Sequence, residues 1–326
     1  MKTISLIKQL SVVGLAMAAT AAMAFPEKEI RVVVPFTAGG PTDVVARAVA
    51  EAMRKQLNSP VIVENLDGAG GTRGAGTAAR AKADGHTVLI HHIGMSTAPA
   101  LYRKLAFNPM NDFEMVGLIS EVPMTIVARK DFPANNIKEF LEVVKQDPAK
   151  WNMANAGLGA ASHLCGMLLQ TAMNANLTTV PYKGTGPAMT DLMSGQVDFM
   201  CDQTTNTTER IKAGSVKAFA VTTKTRLKLD GLSNLPTVAE SGLPNFEVTV
   251  WHGLYAPKGT PKPALDKLNA ALNGALKDPE LIKRFEGLGT SPVTPEKATP
   301  AYHTTYLKSQ IDLWGPVIQK AGAFAD

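Results

Sequence analysis

From residue 29 onward the apolar positions follow two periods in turn. Short β-branched runs, such as IRVVV at 30–34, read as buried strands. Each gives way to a stretch in which apolar residues recur every three or four positions. The first such stretch, 41–57, puts Val44, Val45, Ala48, Val49 and Ala52 on one stripe and Arg47, Glu51, Arg54 and Lys55 elsewhere. Pro41 suits its first turn, where a missing N–H has no helical partner to lose. Strands at 61–64 and 86–91 and a helix at 72–83 continue the alternation. That order predicts an α/β unit on a parallel sheet.

Two extended apolar stretches around Pro123, within 115–129, carry the chain across to a second unit. There the alternation resumes. Helices at 136–146, 162–173, 187–194 and 207–212 each precede a strand, at 151–156, 178–182, 197–201 and 216–222. Asn206 with Glu209 three residues on resembles a capping box and predicts a helix start. A Pro- and Gly-rich stretch, 235–259, contains a return strand at 247–256. Helices at 264–276, 279–288 and 301–320 finish the chain. Two crossings between two alternating patterns predict a hinged pair of domains, 25–122 plus 250–326 and 123–249.

The first 24 residues stand outside this pattern. Lys2 and Lys8 precede an apolar run, 12–23, that ends in Ala22-Met23-Ala24, a small-x-small cleavage site. This reads as a secretory signal peptide over 1–24. The run is shorter than the roughly 20 residues a membrane span needs. No Cys follows the site, so lipid attachment is not expected. The mature chain then starts at Phe25, outside the cytoplasm and without stable membrane insertion. Its length, about 300 residues, suits two domains. Without Lys2 and Lys8 the formal charge falls from +5 to +3. Scattered Lys and Arg at that level give no nucleic-acid footprint and suit a small acidic ligand. Two cysteines, Cys165 and Cys201, in an exported chain permit a disulfide. Two buried thiols are the alternative.

Ligands of open α/β sheets sit beyond the carboxyl ends of the strands. Five loops expected there, 36–43, 92–97, 157–163, 183–187 and 202–206, are mostly rich in Gly, Ser or Thr, and most open a helix. First-turn amides lack partners, and the macrodipole favours an anion. Gly39 and Gly40 can therefore expose amides to a carboxylate; alternatively they only make a tight turn. Asp43 suits the dipole of the helix it opens. His163 either donates to an anion or packs at a helix start. Asp202, ending an apolar strand, is a turn residue or a group that recognises a ligand donor. Lys183 is the one Lys in these loops, and they hold no Arg.

Enzyme chemistry finds little support. Gly70, Gly74 and Gly76 give GxxxGxG, a dinucleotide pattern, but after the second strand, and no Tyr has Lys four residues on. His86, His91, His92, His163 and Cys165 match no zinc spacing. His91 and His92, adjacent in a strand, point to opposite faces. Ser162 and His163 are neighbours rather than a nucleophile–base pair, and no G-x-S-x-G occurs. No metal and no cofactor is expected.

Several segments, taken together and in order, resemble the Bug family, the periplasmic solute receptors of tripartite tricarboxylate transporters. They are PFTAGGPTDVVAR (35–47), VENLDGAGGTRGA (63–75), ADGHTVLI (83–90), VPYKGTGPAMTDLMSGQVD (180–198) and LPTVAESGLP (235–244). The resemblance covers essentially the whole mature chain. It implies a two-domain Venus-flytrap architecture, type II-like, with the ligand cleft between the domains. It further implies a small organic carboxylate as ligand, transporter membrane subunits as partners, a periplasmic monomer, and no catalysis.

Carried onto this sequence, the family's ligand loops fall on Phe36, Ala38, Gly39, Gly40, Thr42 and Asp43, on Ser96 and Thr97, and on Ala156, Gly157, Gly159, Ser162 and His163. They continue on Lys183, Gly184 and Thr185, and end at Asp202. Backbone amides near 38–42, 157–163 and 185 are expected to fix the carboxylate, leaving Asp202 to accept from a hydroxyl, amine or water on the ligand. The HHIGMST loop departs from those of the family's amino-acid binders. A ligand sensor for a signalling partner would share this fold and cleft; an exported hydrolase is a more distant alternative.

Overall fold

The computed structural model describes residues 25–321 and Phe324. The expected signal peptide, 1–24, lies outside the described residues. In chain order the first elements are β1 (Ile30–Val34), α1 (Pro41–Leu57), β2 (Val61–Asn65), α2 (Thr72–Ala79), β3 (Thr87–His92), α3 (Gly94–Leu101) and β4 (Phe113–Ala128). Then come α4 (Ile137–Gln146), β5 (Asn152–Asn155), α5 (Ala161–Met173), β6 (Thr178–Pro181), α6 (Thr185–Met193), β7 (Phe199–Gln203), α7 (Thr204–Lys212) and β8 (Lys217–Val221). The chain closes with β9 (Thr249–Pro257), α8 (Lys262–Ala275), α9 (Pro279–Gly287), β10 (Ser291–Pro292) and α10 (Pro300–Ala321).

The sheet is mixed, not parallel throughout. Its order is β2-β1-β3-β9-β4-β7-β5-β6, with β8 and β10 also on β4. β1 pairs parallel with β2 and β3, and β5 with β6 and β7. The return strand β9 and the long β4 run antiparallel to their neighbours. β4 changes partners along its length. Up to Pro123 it pairs with β9; from Met124 it pairs with β7, and from Thr125 with β8. Pro123, expected between two extended stretches, therefore sits inside one strand. Its position is the end of one ladder, opposite Thr249, where a missing N–H costs least.

Packing follows the apolar stripes. Val45, Val49 and Met53 of α1 meet Val32 and Val34 of β1, Ile90 of β3 and Leu268 and Leu272 of α8 in one buried cluster. A branched aliphatic side chain buried this way contributes about 1.5–3 kcal/mol. On the far side of β4, Phe132 lies against Trp151, Phe140, Phe219 and Phe199 with ring centroids 4.8–6.3 Å away. A disulfide joins Cys165 of α5 to Cys201 of β7, with 6.1 Å between Cα atoms.

The capping box expected at Asn206 is absent. α7 starts at Thr204, three residues earlier than expected, and the Asn206 side chain donates to Asp202 instead. A reciprocal cap stands at α4. The Asn136 side chain accepts from Glu139 N at 3.0 Å, and Glu139 accepts from Asn135 N at 2.8 Å. Asn136→Ala is expected to lower unfolding stability by about 1 kcal/mol, read as a shift of the denaturant midpoint at unchanged slope. No helix among the described residues is long and apolar enough to cross a membrane.

Candidate functional site

Four helices begin at one cleft. Its walls are Phe36, Gly40, Pro41 and Thr42 at the start of α1, Ala161 and Ser162 at α5, Thr185 at α6 and Gln203 at α7, with His92, Ala156 and Asp202 between them. None of the four helices has a side-chain cap at its N-terminus. Their first-turn N–H groups lack helical partners, and each macrodipole adds about half a positive charge at that end. None of the lining residues is Lys or Arg. The cleft measures about 270 Å³, its open mouth included.

The loop before α1 is braced from behind. Gly39, at φ +79°, sends its N–H to Asp43 Oδ2 at 2.9 Å. Asp43 Oδ2 also accepts from Arg47 Nε at 2.9 Å, and Oδ1 from Asn65 Nδ2 at 2.9 Å. Burial would raise this carboxyl, but the Arg47, Gly39 and Asn65 donors hold it below the usual range. Asp43 is thus committed to shaping the loop and does not line the cleft. Ala38 and Gly39 are exposed beside it. Phe36 stacks on His92 with centroids 4.7 Å apart.

Three buried histidines back this wall. His92 N–H donates to His91 Nδ1 at 2.7 Å, and Gly94 N–H to His92 Nδ1 at 2.9 Å. His252 of β9 stands opposite His92 in the sheet, and its Nε2 meets Thr42 Oγ1 at 3.3 Å. Desolvation pushes His92 down to about 3 and holds His91 and His252 well below the usual histidine range. All three are neutral at physiological pH. The rings of His91 and His92 meet at 4.8 Å, although their positions in the strand alternate. Ser96 and Thr97, expected in a loop, lie in α3. Ser96 Oγ donates to Ile93 O at 2.7 Å, and Thr97 Oγ1 reaches across to Gly159 O at 2.8 Å.

From the other side, Asn155 Oδ1 accepts from Gly157 N, and Ser162 Oγ accepts from Ala156 N, at 2.9 and 2.8 Å. His163 Nδ1 accepts from Gly159 N at 3.3 Å, and burial lowers its pKa to about 4. Ser162 and His163 are each spent on the loop, not on each other. Lys183 is exposed, and its carbonyl accepts from Thr37 N at 3.3 Å. Gly184 caps α6 and packs against Thr37, while the Thr185 hydroxyl is buried beside Asp202. Asp202 is 1% exposed. Burial pushes its carboxyl up to about 6, against the Asn206 amide, the Gln203 N–H and the nearby Thr185 hydroxyl, which favour the ionised form.

Of the residues singled out in the sequence, Phe36, Gly40, Thr42, Ala156, Ser162, Thr185 and Asp202 line the cleft together. Gly157, Gly159, Gly184, Ser96, Thr97 and His163 support its walls. Sequence reasoning placed His92 and Gln203 in candidate loops without naming them as site residues, and it missed His252, which backs the wall through Thr42. Among the described residues no group of three His, Cys, Asp or Glu is placed to hold a metal ion.

Residues 45–323 match the model of the tripartite tricarboxylate transporter family receptor, TctC. An Agrobacterium vitis protein of the UPF0065 group, encoded in the TAR-I ttuE-ttuC' intergenic region, is 50% identical over 298 residues, 91% of this chain and 86% of its own. The structure of the periplasmic binding protein BugD superposes with a TM-score of 0.90 at 51% identity, covering 93% of this chain and 100% of BugD. MatC from Rhodopseudomonas palustris, solved with bound malate, gives 0.87 at 41% identity, covering 90% and 100%.

Proposed function

The chain belongs to the family of tripartite tricarboxylate transporter receptors, and from that membership we propose that it captures a small organic carboxylate in the cleft and hands it, unchanged, to a transporter's membrane subunits. The observation that carries this reading is the convergence of four uncapped helix N-termini on a space lined by no Lys or Arg. A buried ion pair would have to offset several kcal/mol of desolvation per ion. Fixed amides compensate the anion without a second buried charge. Each hydrogen bond to a charged group is worth about 1.5–3 kcal/mol, so a few suffice for tight binding.

Malate in the related MatC supports a carboxylate ligand. Residues 25–122 plus 250–326 form one lobe and 123–249 the other, closing about the crossing strands β4 and β9 by hinge motion. The receptor works in the periplasm as a monomer, without catalysis. Native mass spectrometry of protein purified from cells tests this. The expected result is a mass increment of one small acid, released chemically unchanged. Release of a product different from the acid loaded would overturn the reading.

A further inference from the structure

Two hydroxyls outside the cleft lining each lie between two carbonyls. Thr97 Oγ1, fully buried on α3, is 2.8 Å from Gly159 O and 3.3 Å from Gly94 O of its own helix. Tyr102 Oη, one residue past α3, is 2.8 Å from both Leu158 O and Ala69 O. A hydroxyl carries one proton, so each pair of carbonyls competes for one donor. At Tyr102 the competition is relieved on one side, because Ala69 O also accepts from Thr72 Oγ1 at 2.8 Å. Burial raises the Tyr102 phenol above its usual pKa, so it stays a donor at physiological pH.

The acceptors fall into two groups. Gly94 and Ala69 lie in the same part of the chain as the hydroxyls, ahead of β4. Leu158 and Gly159 lie in the turn before α5, whose first residues, Ala161 and Ser162, line the cleft. The amides of that turn bond back to their own segment. Gly157 N–H donates to Asn155 Oδ1, Gly159 N–H to His163 Nδ1 and Ala160 N–H to Gly157 O. The bonds it makes toward α3 go through the carbonyls of Leu158 and Gly159. The two segments meet closely there: a Cβ on Gly159 would lie 3.3 Å from Leu101 Cδ1.

We propose that Thr97 and Tyr102 form a two-position clasp that holds the lobes closed over the bound acid and sets how fast the acid leaves. This rests on the receptor reading and the lobe division above, and it adds positioning residues that do not line the cleft. In the closed state the hydroxyls donate to Gly159 O and Leu158 O, and hold the turn that carries the α5 start against the other lobe. In the open state they turn back to Gly94 O and Ala69 O within their own lobe. Each hydroxyl keeps an acceptor in both states. Opening therefore strands no donor, whose full desolvation cost would otherwise oppose it. The clasp forms after the acid has entered, so its loss falls on the dissociation rate and not on the association rate.

Stopped-flow kinetics of the mature protein and of Thr97→Val, Thr97→Ser and Tyr102→Phe test the clasp. The probe is the tightest wild-type binder among succinate, adipate, citrate, L-glutamate and benzoate. Thr97→Val and Tyr102→Phe are each expected to raise the dissociation rate about 3–10-fold, the worth of one net hydrogen bond, with the association rate within about 2-fold of wild type. Thr97→Ser, which keeps the hydroxyl, should dissociate like wild type. If Thr97→Val misfolds, Tyr102→Phe decides, since that side chain is partly exposed. Unchanged dissociation in the hydroxyl-free variants, a loss confined to association, or Thr97→Ser as fast as Thr97→Val would overturn the clasp and leave the receptor reading standing. Failure to bind any of the five acids would overturn both.

Discussion

Replacing Gly184 with valine is expected to weaken ligand binding about 100-fold while the protein still folds. Gly184 has φ 162° and ψ 163°, an extended conformation any residue adopts. The obstacle is Thr37, in the loop before α1. A Cβ at this position would lie 2.3 Å from Thr37 Oγ1 and 3.0 Å from Thr37 N. Thr37 is β-branched, its backbone is tied to Lys183 O at 3.3 Å, and it has little room to give. Overpacking of this kind costs about 1–3 kcal/mol, and under the closure proposed above it is incurred only in the closed state. Gly70→Ala should act alike, since its Cβ would lie 1.7 Å from Leu158 O, though φ +59° adds strain of its own. Calorimetry with the acid the wild type retains measures the loss. Small-angle scattering should show the radius of gyration no longer shrinking with ligand. A Gly184→Val protein that binds and contracts normally would contradict closure along these surfaces.

Gly40→Pro is expected to cost about 10–100-fold in affinity, and Lys183→Met less than about 3-fold. Gly40 is the N-cap of α1, at φ −80°, which proline tolerates. The substitution removes one amide from the cleft wall. It also puts a ring against the 185–186 turn, because the Gly186 Cβ position lies 3.4 Å from Gly40 N. Losing one or two hydrogen bonds to a charged group, at about 1.5–3 kcal/mol each, sets the size of the effect. Lys183 offers the one cationic side chain of the predicted loops, but it is exposed, where an ion pair is worth about 0–1 kcal/mol. Isothermal titration of both variants against the same acid separates the two modes of capture. The reverse order of losses would mean that charge, not amides, holds the ligand.

The loops at 36–43, 157–163 and 183–186 were legible because their signals are local. Glycines, small polar residues and a following amphipathic stripe mark strand-to-helix turns whatever the rest of the chain does. The helix Gly94–Leu101 was not legible. It is short, contains Pro99, and shows no polar face, since six of its eight residues are buried. His252 and Gln203 went unnamed for a different reason. His252 meets Thr42 behind the cleft wall because β9 inserts between β3 and β4, a pairing between segments more than 100 residues apart. Gln203 lines the cleft because its strand runs two residues further than the apolar pattern. Asp43 shows the converse. The family resemblance put it among the ligand residues, yet three neighbouring donors claim its oxygens.

A crystal structure of the protein with its bound acid tests the amide-capture account most directly. The account predicts carboxylate oxygens about 2.7–3.2 Å from the backbone nitrogens of Thr42, Ser162 and Thr185, with no Lys or Arg side chain in contact. A carboxylate ion-paired to Lys183, or an acid bound outside the cleft, would contradict it.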